Sequence, residues 1–461
     1  MISLPNSLGP VIEQLIACGA RPVLVGGYVR DALLGITSKD IDIEVYCVKD
    51  LETLQKELEP FGRVSIVGKS FGILKLSLGT HDIDFALPRT ERKKGAGHKG
   101  FHVSLNSLMD FASAARRRDF TVNAMGYDLN AGLLLDPYGG EKDLKDRILR
   151  CVDPETFVED PLRIFRAVQM APRFGLVCDP ALLKLCRNMV GSGLVEELPK
   201  ERIFEEIKKL LLKAQSPSEG FRLMESMALL DFFPELKALK GVGQEPRYHP
   251  EGDVWTHTLL CLDAMAGLRS GHERRDLVLM LATLCHDFGK AAATQEDEGH
   301  FPAKGHEAEG VLPTERFLRR LSDEQRLFDA VVPLVKEHHR PLLFYKEGAS
   351  DGDIRRLATR VSIKDLLLVA KADFLGRTTE AALSGRFPAG EWLKKEAERI
   401  GVFEHAPEPL LQGRDLIELG LTPSKTFKTI LGAAFDAQLE GVFSTHDEGM
   451  IWLKKHVNER V

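Results

Sequence analysis

The stretch LVGGYVRDALLGITSKDIDIEVY, residues 24–46, carries most of what the fold requires. RPVLVGG (21–27) reads as a short apolar strand closed by a Gly-Gly pair, and the residues after it read as the start of a helix. DIDIEVYCV (40–48) follows as a second strand, in which Asp40 and Asp42 fall on the same face. Two carboxylates held by this period make a hard oxygen site suited to Mg²⁺, which takes one or two carboxylates together with substrate phosphates. Gly26 and Gly27 lack a Cβ, so backbone N–H groups there can come close to a triphosphate at a helix N-terminus. Working outward, GILKLSL (72–78) and HDIDFAL (81–87) supply further strands, and the latter brings a second same-face pair, Asp82 and Asp84. Spacing alone does not choose between those two. Each feature is ordinary by itself, since Gly-Gly is a common turn and D-x-D is often a solvated face; their joint arrangement is not.

From about residue 142 the strand signals fade. Apolar residues then recur at three- and four-residue spacing in PLRIFRAVQM, PALLKLCRNMV, ERIFEEIKKLLL and GFRLMESMALLDFF, the period of helices with one buried face. The fold class is therefore α+β, a mixed head followed by helices. GVGQEPRYHPEG (241–252) marks a linker, and LSGRFPAG (383–390) marks a second break before a tail with its own small core. The expected segments are 1–140, 141–245, 246–385 and 386–461.

The chain has 461 residues, 44% of them hydrophobic and 28% charged, enough apolar side chain for several cores. This excludes a single small module and wholesale disorder. The formal charge of −6 argues against a nucleic-acid partner only as a whole-chain average. Residues 89–118 hold eight Lys or Arg against Glu91 and Asp110, a local basic segment beside the expected nucleotide. Seven cysteines are scattered and never form a C-x-x-C pair, which fits a reducing compartment and no thiolate metal site. The N-terminus lacks the pattern of a secretory signal, and the longest apolar stretch falls far short of the ~20 residues that span a bilayer. The expectation is a cytoplasmic protein with no membrane partner, monomer or homodimer.

Further motifs occur in the order of a known family. The strand, Gly-Gly pair and D-x-D strand resemble the head of the class II nucleotidyltransferases, the family of CCA-adding tRNA nucleotidyltransferases and bacterial poly(A) polymerases. The resemblance implies a polymerase β-like head with a mixed sheet, then an all-α neck, body and tail. It also implies two-metal phosphoryl transfer, in which an RNA 3′-hydroxyl attacks the α-phosphate of CTP or ATP and pyrophosphate leaves. On the family pattern the catalytic carboxylates are Asp40, Asp42 and Asp84, the first two holding Mg²⁺. RRRDFTVNAM (116–125) is similar to the ribose-binding motif, which assigns Arg118, Asp119 and Asn123 to the nucleotide along with Gly26, Gly27 and Arg30. EDPLRIFRAVQ (159–169) is similar to the base-selecting motif, with Asp160, Arg163 and Arg166, and ELPKERIFEEIKKLL (197–211) to the helix that braces it.

Base choice has a chemical argument of its own. A carboxylate at Asp160 accepts from an exocyclic amine while the Arg163 guanidinium donates to ring acceptors, a pattern that matches cytosine and, with a small rotation, adenine. Uracil presents a carbonyl to the carboxylate and is rejected, because the polar groups of the site stay unpaired. Asp160 before Pro161 is equally the usual sequence of a helix cap. Pro172 is expected to end or kink the same helix before Gly175. The basic segment RTERKKGAGHKGFHV (89–103), with three glycines, resembles the family's flexible loop, which adjusts the pocket between CTP and ATP.

A histidine cluster occupies the third segment. WTHTLLCLDAM, LATLCHDFGKAA and KADFLGR supply His257, the adjacent His286 and Asp287, and Asp373. Imidazoles and carboxylates on several helices are a standard way to build a metal site in a helical core. The order H…HD…D resembles the HD-domain metal-dependent phosphohydrolases, with His306 and His338 as further metal or phosphate ligands. The resemblance implies a Mn²⁺, Co²⁺, Ni²⁺ or Mg²⁺ site that activates water, and 2′,3′-cyclic phosphodiesterase, 2′-nucleotidase and phosphatase activities on RNA ends. The sequence leaves two alternatives to a tRNA CCA-adding enzyme. One is a poly(A) polymerase or a specialised CC- or A-adding enzyme; the other is a hydrolase whose head only binds RNA.

Overall fold

A computed structural model of the chain describes all residues except Met1, Ser3, Lys39, 68–71, 94–100 and 458–461. The centre of the predicted flexible loop therefore lies outside the described residues. The chain divides into two compact units, one of residues 1–214 with 219–232, the other of 215–218 with 233–461.

In the first unit the strands are β1 (Arg21–Val25), β2 (Ile41–Tyr46), β3 (Arg63–Val67), β4 (Ile73–Leu78), β5 (His81–Ala86), β6 (Arg89–Lys93), β7 (Phe101–Leu105), β8 (Gly126–Asp128) and β9 (Leu133–Leu135). Seven form one sheet in the order β3-β4-β5-β2-β1-β8-β9, while β6 and β7 pair separately as an antiparallel ribbon. Every neighbour in the large sheet is antiparallel except β2 and β5, which run parallel with Asp42 in register with Asp84. The mixed sheet is thus as expected. The four strands read from sequence are β1, β2, β4 and β5; β3, β8 and β9 are short or lack a clean alternation. Beneath β1 and β2, Val23, Val25 and Tyr46 pack against Phe111, Ala114, Ala115 and Ala124, which anchors the segment leading into the arginine motif.

The helices of this unit follow the predicted periodicity. Leu162–Phe174 lies along Lys200–Lys213, with Ile164, Phe165 and Val168 buried on one and Ile203, Ile207 and Leu210 on the other. Of the expectation that Pro172 ends or kinks the first helix, the ending is not met. The helix runs through Pro172 to Phe174 and ends at Gly175, whose φ of +63° provides the left-handed cap. Pro172 sits in the last turn, where only one interior hydrogen bond is lost, and the carbonyl it frees, Val168 O, faces the close approach of the chain at Gly220.

The second unit is helical. Val254–Leu268, Glu273–Cys285, Gln325–Glu337 and Ile363–Leu375 pack on one another. The end of the chain has a core of its own, built from Leu411, Leu416, Ile430, Ala434, Phe443 and Leu453. All seven cysteines are unpaired. No helix among the described residues is long and apolar enough to cross a membrane.

Candidate active sites

The parallel register of β2 and β5 settles where the strand carboxylates meet. Asp42 and Asp84 stand side by side on neighbouring strands. Asp84 Oδ1 is shielded from water with no hydrogen-bond partner, its nearest cation being Lys75 Nζ at 3.4 Å. Asp82 instead accepts a hydrogen bond from Ser77 Oγ at 2.8 Å on the solvent side. Asp40 is exposed and precedes β2 by one residue, so it belongs to the entry of the strand rather than to its pleat. The Asp42 carboxyl titrates above the ordinary range, first because its surroundings withhold water and then because Asp84, Asp40 and Glu44 add like charge, with Arg118 opposing. An orphaned carboxylate oxygen beside a like-charged neighbour is the environment that a divalent cation relieves.

Sequence reasoning missed Glu44, although its position two residues beyond Asp42 was the available signal. Its side chain is 3% exposed and accepts from Arg117 Nη2 at 2.7 Å, Arg118 Nη2 at 3.1 Å and the Tyr46 hydroxyl at 2.9 Å. It therefore ties the arginine motif to the strand that carries Asp42. Removing one partner of such a buried cluster leaves the others uncompensated, so Glu44→Ala is expected to cost about 3 kcal/mol of unfolding free energy, read as a lower urea midpoint at unchanged slope.

The Gly-Gly turn has a different rationale from the predicted one at its first residue. The N–H of Gly26 is not open to a phosphate, because it donates to Met125 O at 3.2 Å. Glycine is needed there because φ is +71° and a Cβ would stand 2.8 Å from Arg118 Nη1. Gly27 begins the helix Gly27–Leu33. Arg30, on that helix, is buried. Its guanidinium donates to Asp31 Oδ1 and, at 2.6 Å, to Asn123 Oδ1, and it stacks 4.0 Å from the Phe174 ring centroid. Asn123 Nδ2 in turn donates to Asp119 Oδ1 at 3.1 Å, and Asp119 Oδ2 accepts from Arg166 Nε at 2.6 Å. Against its burial, Arg166 and Asn123 hold the Asp119 carboxyl below the usual range. Arg30, Asn123, Asp119 and Arg166 thus form one chain of charge-assisted bonds joining the Gly-Gly helix to Leu162–Phe174.

Asp160 and Arg163 stand one turn apart at the start of that helix. Asp160 Oδ1 accepts from Leu162 N at 3.2 Å, the cap role, while Oδ2 accepts from Arg202 Nη2 at 3.2 Å. Arg163 donates to Thr156 O at 2.8 Å and Arg117 O at 2.5 Å. Arg202, on the bracing helix, was not anticipated; only the fold brings it across.

In the second unit the predicted residues His257, His286, Asp287 and Asp373 converge, and His306 and His338 join them. All six are at most 7% exposed. His257 Nε2 lies 3.1 Å from Asp373 Oδ1 and 3.8 Å from Asp287 Oδ2; His286 Nε2 lies 3.2 Å from Asp287 Oδ2. His306 and His338 approach the other Asp287 oxygen at 3.4 and 3.9 Å. The far nitrogens are all committed. Nδ1 of His286, His306 and His338 each faces a backbone carbonyl three residues back, at 2.7, 2.8 and 2.7 Å. Nδ1 of His257 faces Glu251 Oε1 at 2.7 Å, which His249 Nδ1 shares at 2.9 Å. Each carbonyl or carboxylate places the proton on Nδ1 and turns the Nε2 lone pair inward.

Three inward atoms, His286 Nε2 and both oxygens of Asp287, have no hydrogen bond of good geometry, although Lys290 Nζ forms an ion pair with Asp287 Oδ2 at 2.8 Å. Against burial, His286 and Lys290 hold the Asp287 carboxyl well below its usual range, and Arg377 with His257 does the same for Asp373. Although burial pulls the other way, Asp287 pushes the His286 imidazole up. Burial, then His286 and His306, drives His338 down to about 3. Convergent imidazole nitrogens around a carboxylate whose oxygens lack good hydrogen bonds are a set that a divalent transition metal would satisfy. Three groups within metal-ligand reach result among the described residues: His257, Cys261, His286 and Asp373; Asp287, His306 and His338; and His249, Glu251 and His257. Cys261 is the unexpected member, and burial followed by Asp373 and Asp287 keeps its thiol protonated. Gly289, after the His-Asp pair, is required because a Cβ would lie 1.9 Å from His306 O.

Comparison with known proteins agrees with this division of chemistry. Residues 23–150 match the family described as Poly A polymerase head domain, 176–240 that described as "Probable RNA and SrmB- binding site of polymerase A", and 254–377 the HD domain. A Multifunctional CCA protein of Xylella fastidiosa is 35% identical over 386 residues, covering 81% of this chain and 88% of that one. The fold is that of the Bacillus stearothermophilus CCA-adding enzyme in complex with CTP, with a TM-score of 0.69 at 20% identity over 99% of both chains. A Thermotoga maritima CCA-adding enzyme complexed with tRNA-CCA gives a TM-score of 0.60 at 22% identity, over 99% of this chain and 97% of that one.

Proposed function

The chain belongs to the family of multifunctional CCA proteins, and from that premise we propose that it adds or repairs the 3′-terminal CCA of tRNA with CTP and ATP, without a nucleic-acid template. The observation that carries this reading is the register of Asp42 with Asp84, flanked by Asp40 and reached from the other side by the Arg117–Arg118 pair on Glu44. In the reaction the terminal ribose 3′-oxygen bonds to the α-phosphorus, the bond to the bridging oxygen breaks, and pyrophosphate departs with that electron pair. Mg²⁺ held by Asp40, Asp42 and Asp84 would supply the positive charge that favours the 3′-alkoxide and offsets the charge on the leaving phosphates. Arg118 and Gly27 face the sugar and phosphates, while Arg30, Asn123, Asp119 and Arg166 hold the two helices at a constant separation. Asp160 and Arg163 read the base edge, and Arg202 keeps Asp160 oriented and charged. The proposed division is head 1–140, neck and body 141–245, HD domain 246–385 and tail 386–461. Seven unpaired cysteines accord with a cytoplasmic setting.

The second centre we assign to hydrolysis of phosphoesters at damaged RNA ends, as a 2′,3′-cyclic phosphodiesterase, 2′-nucleotidase and phosphatase. His257, His286, Asp287 and Asp373, with His306 and His338, would hold Mn²⁺, Co²⁺, Ni²⁺ or Mg²⁺, which would supply a water of lowered pKa as nucleophile. Glu251 fixes the His257 tautomer, and Lys290 and Arg377 set the charge of the carboxylates.

Transcripts of one tRNA ending before the first C, after CC and after CCA test the first activity directly. Given Mg²⁺, CTP and ATP, extension is expected to stop at CCA on all three. A long A tail identifies a poly(A) polymerase, and a single permitted step identifies a CC- or A-adding enzyme.

A further inference from the structure

The cavity over Asp287, His306, His338 and Asp373 has a volume of about 640 Å³ and extends well past the metal-binding cluster to Tyr248 and Lys346. A phosphate and its ester carbons fill only part of a space in the range of whole-ligand pockets. On the remaining wall Tyr248 is 46% exposed, and Lys346 Nζ and the Arg247 guanidinium carbon each lie 5.6 Å from its ring centroid. An aromatic ring bared inside a pocket beside a cation is the arrangement on which a nucleic-acid base stacks.

The charges divide the same way. Lys290 and Arg377, next to the cluster, are neutralised by Asp287 and Asp373. Lys336 and Lys346 also line the cavity but form no ion pair among the described residues. A single reacting phosphate does not need them, because the cluster already faces it. They match a second phosphate, which a free cyclic mononucleotide lacks and an RNA terminus has on the 5′ side of its last ribose.

Resting on the phosphohydrolase reading of this centre, we infer that the outer cavity is a subsite for the terminal nucleotide of an RNA. Tyr248 stacks on its base while Lys336 and Lys346 hold the phosphate 5′ to it. Stacking tolerates any base, which suits an end-repair activity that meets all four.

The test uses the full-length chain with Mn²⁺ and three substrates: an RNA oligonucleotide ending in a 2′,3′-cyclic phosphate, 2′,3′-cyclic AMP, and methyl riboside 2′,3′-cyclic phosphate, which has no base. Tyr248→Ala is expected to raise KM roughly tenfold on the first two with kcat retained, and to leave the third unchanged; Tyr248→Phe keeps wild-type values. The double variant Lys336→Ala/Lys346→Ala is expected to raise KM several-fold on the oligonucleotide alone, and the difference fades with added salt. Equal effects of Tyr248→Ala on all three substrates, or none on any, overturn the stacking role. Equal effects of the lysine variant on the oligonucleotide and cyclic AMP overturn the second-phosphate role. A wild-type chain that cleaves none of the three overturns the phosphohydrolase reading beneath it, a result distinct from either.

Discussion

Asp42→Asn is expected to lower nucleotide addition by at least about 1,000-fold, equivalent to about 4 kcal/mol of transition-state stabilisation, with every tRNA substrate and with both CTP and ATP. The same variant is expected to be no less thermally stable than the wild type in the absence of Mg²⁺. The Asp42 carboxyl pKa is raised by desolvation and then by the like charge of Asp84, Asp40 and Glu44, with Arg118 opposing, while the side chain itself stays exposed on β2. Like charge from Asp84, Asp40 and Glu44 thus disfavours the ionised Asp42 while no cation is bound. Asn preserves the shape of β2 and removes the repulsion. Added Mg²⁺ and CTP are expected to raise the melting temperature of the wild type and to raise that of the variant less. A variant that keeps addition within tenfold of wild type would remove Asp42 from the catalytic set. One that loses activity together with stability would point instead to a structural role.

His286→Ala is expected to reduce phosphoester hydrolysis at least about 100-fold, since outer-shell changes alone cost 10- to 100-fold at metal sites, while CCA addition survives. His286 Nε2 and both Asp287 oxygens have no good hydrogen bond, the Lys290 ion pair on Oδ2 aside, and a bound cation would satisfy them. Metal binding stabilises the folded state by mass action, about 2.7 kcal/mol at a free concentration 100 times the dissociation constant. Thermal melts with and without Mn²⁺ are therefore a second readout, and the variant is expected to lose most of the shift. Loss of both activities in a folded variant would make the helical domain a structural support for the head. Chelation with EDTA followed by Mn²⁺ or Mg²⁺ separates the two centres further, because carboxylate-only and imidazole-rich sets differ in metal preference.

Much of this molecule was legible as local pattern. The strand, Gly-Gly pair and helix at 21–33, the D-x-D strand, and the apolar helix ending in His286 and Asp287 each lie within one or two elements, where periodicities of 2 and 3.6 relate spacing to face. Those motifs also carried the resemblance, and with it the α+β class and the two candidate metal sites. The error at Pro172 was local too: the position of the proline within the helix mattered more than its presence.

What lay beyond the sequence is pairing between elements distant in the chain. Asp82 and Asp84 share a face, and only the parallel alignment of β5 on β2 puts Asp84 beside Asp42 while Asp82 is taken by Ser77. Glu44 looked like one more strand residue until the fold delivered Arg117 and Arg118 to it. Arg202 reaches Asp160 across two helices, Gly26 spends its N–H on Met125, and Asp287 and Asp373 meet His257 only once the helices that carry them pack together. Local periodicity determined which face each side chain occupies. Strand register and helix packing decided which faces meet, because those depend on contacts summed over the whole core and not on any single stretch of chain.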